Sequence, residues 1–112
     1  MARNEEKDPK VAAAATHWAH RMVANGVPLA DFQDVTNNLS SWENWCEAWM
    51  KRGEIHALMG DGSFSAGNLI SASEHFRTAA VCFHFGKFLF VHNLSQMKEA
   101  HNLAISNYNK AL

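Results

Sequence analysis

Apolar residues recur at helical spacing over most of the chain. Val11, Ala15, Trp18 and Met22 form a first stripe, widened by Ala19 and Val23, and predict a helix over about 11–25. Gly26 suits the left-handed turn that closes it, and Pro28 prevents its continuation. A short second helix, about 29–39, is expected to bury Leu29, Phe32, Val35 and Leu39. Ser40 followed by Glu43 has capping-box spacing, and Trp42, Trp45, Cys46 and Trp49 then fall on one face of a third helix, about 41–66. Three tryptophans on one stripe read as the heaviest part of a core or of a domain interface.

Ser71 and Glu74 repeat the capping spacing ahead of a long apolar helix over about 72–92. Ala72, Phe76, Ala79, Ala80, Phe83 and Phe90 mark one side, while Val81, Phe85, Phe88 and Leu89 cover much of the rest. A helix apolar around most of its circumference is buried on several sides, so this one is expected at the centre. Asn93 or Ser95 restarts the chain, and Met97, Ala100, Ala104, Ile105 and Tyr108 extend a last helix over about 95–111. The pattern predicts an all-α bundle of about five helices over 11–112, preceded by a disordered polar tail over 1–10. It contains no strand signal and no internal repeat.

Composition narrows the classes. The 112 residues are 47% apolar and 19% charged, which is globular. A formal charge of −1 argues against nucleic acid or an anionic membrane as the main partner. The start "MARNEEKDPK" has no apolar stretch behind it to make a signal peptide. The richest apolar window, from Thr78, is interrupted by His84 and Lys87. A cytoplasmic setting is therefore expected, with Cys46 and Cys82 as free thiols that behave as small hydrophobes.

The candidate chemistry is thin. "GDGSFSAG", Gly60 to Gly67, holds S-x-S-x-G where a nucleophile elbow needs G-x-S-x-G. Gly60 and Gly62 fit a dinucleotide loop, but Ser65 occupies the third glycine position, and no Walker lysine follows. The stretch reads as a helix end: a frayed but continuing third helix closed by Gly67, with Asn68, Leu69 and Ile70 leading to the cap at Ser71. His17 and His20 lie at i, i+3, but no carboxylate completes a metal spacing. His75, His84, His92 and His101 come at intervals of eight or nine, which aligns no single helix face. Cys82 and His84 point to nearly opposite sides of one helix, and Glu54 and Asp61 lack a partner for acid–base work. No catalytic residue, metal ligand or cofactor is assigned in this chain, neither Ser63 nor Ser65 is nominated, and binding residues stay open.

Taken in order, "WENWCEAW" (Trp42 to Trp49), a glycine at 67, "SASEHFRTAAVCFHFGKFLF" (Ser71 to Phe90) and "KEAHNLAISNYNKAL" (Lys98 to Leu112) resemble the amino-terminal helical region of one hydrolase group. These are the α/β-hydrolases similar to 2,6-dihydroxypseudooxynicotine hydrolase, with fermentation-respiration-switch esterases more distant. The likeness covers roughly residues 15–112. Ser73 departs from the usual glycine in the S-A-G-E helix start, and Gly60-Asp61-Gly62 departs from a more helical segment. In such enzymes the helical region caps a carboxy-terminal core that holds the serine, acid and histidine.

The resemblance implies a cap that shapes and desolvates the active site and lacks the triad itself. The core strands would begin near Leu112. The partner would be an α/β-hydrolase core, in cis or in trans. The reaction would be cleavage of a C–C bond beside a carbonyl, or of an ester, in a small aromatic ketone or ester. These 112 residues alone would be inactive, and an uncovered apolar patch would favour self-association into a homo-oligomer. The alternative reading is a free-standing interaction module resembling tetratricopeptide hairpins, although the 34-residue pattern is not found.

Overall fold

A computed structural model describes residues 9–87 and 93–112. The expected bundle is there: α1 Pro9–Ala24, α2 Leu29–Asn37, a 3-10 turn Trp42–Asn44, α3 Trp45–Ser65, α4 Leu69–Lys87 and α5 Leu94–Ala111. No strand occurs among the described residues. Of the tail expected over 1–10, Pro9 and Lys10 are already helical, with Pro9 at the first position, where its missing N–H costs nothing. The rest of that tail, and the expected helical stretch from Phe88 to His92, lie outside the described residues. No helix among the described residues is long and apolar enough to cross a membrane.

Both glycine-closed helix ends form as the spacing predicts. Gly26 and Gly67 take φ of 114° and 83°, a region that L side chains disfavour. At the first, Gly26 N–H donates to Val23 O and Val27 N–H to Met22 O. At the second, Gly67 N–H donates to Phe64 O and Asn68 N–H to Ser63 O. Both are Schellman motifs, and at the first the buried pair Val27 and Met22 supplies the accompanying apolar contact.

Three expectations are corrected. Leu29 is 54% exposed, whereas Asp31, two residues on and about 200° around α2, takes the inward place; polar partners on α3 hold it there. The cap ahead of the tryptophans is Ser41, not Ser40: its Oγ accepts from Glu43 N–H at 3.2 Å and opens the 3-10 turn, so α3 proper starts at Trp45. Ser71 and Glu74 lie inside α4, because Asn68 O already accepts from Ala72 N–H and the helix begins at Leu69. The α3–α4 connection is consequently only Ala66 to Asn68.

The core follows from α3 and α4 running antiparallel in close contact, with α5 laid along α4. Trp42, Trp45 and Trp49 are core residues. Trp42 and Trp45 stack at 5.1 Å, and Trp45 Nε1 donates to Phe85 O at 3.0 Å. Lower down, glycines on α3 receive phenylalanines from α4. A Cβ on Gly53 would meet the Phe83 ring at 2.9 Å, and one on Gly60 would meet the Phe76 ring at 2.7 Å. Each pair is spaced by seven residues, two helical turns, so the fit repeats in register. A mid-helix glycine costs about 1 kcal/mol. Burying a phenylalanine returns roughly 1.5–3 kcal/mol, so the exchange favours folding. Gly60 therefore lies in a continuous helix as a receiver for Phe76, whereas Gly62 has nothing within 4 Å of the same position.

On α5, Ala100 and Ala104 face inward and permit close approach to α4. Asn93 caps the helix by accepting from Gln96 N–H at 3.0 Å. Ser73 Oγ donates to Ala111 O at 2.5 Å and ties the start of α4 to the end of α5.

Candidate functional site

Polar side chains from α2, α3 and α4 meet at one point in a largely apolar interior. Asp31 and Asp34 share a side of α2 at i, i+3; Arg52 and His56 share a side of α3 at i, i+4. Arg52 Nη1 donates to Asp31 Oδ1 at 2.9 Å, and its other terminal nitrogen donates to Asp34. His56 Nε2 lies 2.6 Å from Asp31 Oδ2. The side chains of Asp31, His56 and Arg52 are 12%, 13% and 23% exposed. Buried charges persist where they are paired in this way.

Cys82 of α4 completes the group. Its Sγ, one carboxylate oxygen of Asp31 and one ring nitrogen of His56 all lie within 4.8 Å of one another. Burial pushes the Cys82 thiol up to about 12; the Asp31 carboxylate adds to the rise and the Arg52 guanidinium opposes it. The thiol is fully buried, so a substrate in solution does not reach it in this conformation. The donor set can hold a metal ion. His56 Nδ1 is buried and has no hydrogen-bond partner.

A second feature is an open cleft of about 380 Å³ between α4 and α5. Val81, Ala104 and Ile105 give it apolar walls; His84, His101, Tyr108 and Lys87 supply its polar groups. No carboxylate is among the described lining residues. Burial lowers the His84 pKa from its ordinary value, and the nearby Lys87 and His101 lower it further. A neutral imidazole beside apolar walls can accept or donate one hydrogen bond to a small polar group.

The residues singled out by sequence distribute plainly. His17 and His20 are on the outer part of α1, and His17 lies edge-on to Trp18 at 6.4 Å. Ser63 and Ser65 are in the last turn of α3, where Ser63 contributes its carbonyl to the Schellman turn. Glu54 and Asp61 are exposed on α3. Cys82 and His84 do point apart, one into the polar cluster and the other into the cleft. His84 and His101 share no helix face, yet two helices bring both to the same cleft. His92 lies outside the described residues.

Sequence reasoning missed the Asp31–Arg52–His56–Cys82 group, whose members are 4 to 26 positions apart in chain order and come from three helices. The available signal was Asp31 itself, an acid on the apolar stripe of α2 between Pro28 and Phe32. No family model matches the chain, and no curated protein or solved structure matches it.

Proposed function

We propose that this helical bundle is the cap of a serine α/β-hydrolase, covering a core that carries the nucleophile, base and acid. The observation that carries the reading is the outer face of α3. Ile55, Leu58 and Met59 fall at i, i+3 and i+4 and are 48%, 69% and 40% exposed. They lie on the side of α3 turned away from Gly53 and Gly60, where α4 packs. A helix that buries one apolar face and leaves another uncovered is suited to a second packing partner. A hydrolase core is the partner that the resemblance over roughly residues 15–112 implies.

The cleft supports the substrate class. Its volume suits a small organic molecule, and Phe85, Val81 and Ile105 offer apolar surface to an aromatic ring. His84, between the buried Phe83 and Phe85, offers a polar contact to a carbonyl oxygen. The cleft lies on the side of α4 away from α3, so it would hold an aromatic ketone or ester apart from the docking face, while the cap excludes water from the core that does the acyl chemistry.

The test supplies the purified chain in trans to a core of the resembled hydrolases from which its own helical region has been removed. The chain alone should turn over neither aromatic esters nor aromatic ketones. The mixture should hydrolyse with a lower KM than the bare core, and Leu58→Asp with Met59→Asp should abolish that gain. Turnover by the chain alone, lost on substituting one of its own residues, would defeat the reading. So would a mixture indifferent to the two aspartates.

A further inference from the structure

We propose that Asp31, His56 and Cys82 form a binding site for one divalent transition-metal ion of the zinc class, tying α2 to the α3–α4 pair. The proposal is independent of the cap reading and rests on two observations. Carboxylate oxygen, imidazole nitrogen and thiol sulfur, one from each helix, already lie within 4.8 Å of one another. A tetrahedral zinc site places such donors about 3.5 Å apart, given metal–ligand distances of about 2.0–2.3 Å. The His56–Asp31 contact opens slightly from 2.6 Å to admit the ion, and the sulfur closes in.

The second is charge. With the imidazole neutral, as a metal ligand must be, Asp31 and Asp34 oppose a single guanidinium, Arg52. Binding a dication with release of the Cys82 thiol proton to solvent leaves two carboxylates and a thiolate balanced against the guanidinium and the metal. Arg52 is compatible with the site because it takes Asp31 Oδ1 and leaves Oδ2 turned towards His56. It then orients the ligating carboxylate from outside, the usual office of an outer partner. A thiolate and an imidazole select zinc, cobalt or nickel over magnesium or calcium, which prefer oxygen. Three protein ligands leave a fourth position for water.

The test is titration of chelator-treated, reduced protein with Co²⁺, read by absorption. Wild type should develop a thiolate-to-cobalt charge-transfer band and tetrahedral d–d bands that saturate at one equivalent and vanish on adding Zn²⁺. Cys82→Ala should remove the charge-transfer band, and Cys46→Ala should keep it. Asp31→Asn and His56→Gln should weaken binding by more than the roughly 10–100-fold that losing an outer partner costs. Zn²⁺ should raise the Tm of wild type and leave that of Cys82→Ala unchanged. Far-UV circular dichroism checks folding; if Cys82→Ala does not fold, His56→Gln carries the comparison. Folded wild type without a charge-transfer band, a band that survives loss of Cys82, or a Co²⁺ affinity unchanged in His56→Gln overturns the site.

Discussion

At the scale of single residues, the two cysteines are equally buried but keep different company. Cys82 faces the Asp31–Arg52 pair; Cys46 lies in the tryptophan layer, where burial first and the Glu99 carboxylate second push its thiol up to about 11 from 9.0. The folded state thus keeps a proton that the unfolded chain releases. Stability from this group is whole below pH 9 and is lost as pH rises from about 9 through about 11. Cys46→Ala should therefore flatten the fall of Tm between those pH values relative to wild type, as followed by circular dichroism. An unchanged slope would refute the assignment. Of the two features at the site, the cleft was half legible: His84 was marked by its place between Phe83 and Phe85, but its neighbour His101 could be found only once α5 was laid on α4. The buried cluster offered sequence only one signal, an acid on the apolar stripe of α2. Its Asp31 looks like a helix-start acid, and its partners sit on helices whose relative rotation no periodicity reveals.

At the scale of elements, periodicity located all five helices, put the start of α2 at Leu29 where it is, and misjudged the starts of α3 and α4. The miss at α4 has a definite cause. Ser71 and Glu74 do have capping spacing, but Asn68, directly after the left-handed Gly67, begins the helix first. Glycines inside α3 are equally ambiguous to sequence, because a propensity scale assigns Gly60 and Gly62 the same cost. The structure separates them. Gly62→Ala adds a methyl group to open space and should stabilise by up to about 1 kcal/mol. Gly60→Ala gains the same propensity but drives a Cβ into the Phe76 ring, and overpacking of that kind costs about 1–3 kcal/mol. Urea midpoints should move in opposite directions for the two variants; a shift in the same direction would show that the Gly60–Phe76 fit is loose.

At the scale of the whole molecule, the chain extends 46 × 30 × 21 Å with a radius of gyration of 14.2 Å, slightly longer than the roughly 13 Å expected of a compact domain this size. An elongated bundle has more surface for its core, and here part of that surface is apolar: Ile55, Leu58 and Met59 on α3, with Phe64, Leu69 and Ile70 at the hairpin end. Concentration-dependent self-association in sedimentation velocity is the expected result for the isolated chain. Ile55→Lys with Leu58→Lys should return it to monomer. A wild-type chain that stays monomeric at high concentration would count against an interaction role for this face. The all-α class was legible because four of the helices carry clear apolar stripes; the exposed face was not, because Ile55, Leu58 and Met59 look the same in sequence whether a neighbour covers them or not.

The seven-residue match between glycines on α3 and phenylalanines on α4 has a mechanical consequence. With rings seated in gaps at two levels, and only three residues joining the helices, neither can slide along the other by one residue without unseating both rings. The pair, about 30 Å long by the 21 residues of α3, is thereby locked in register, so α3 and the α4 wall of the cleft are expected to move together.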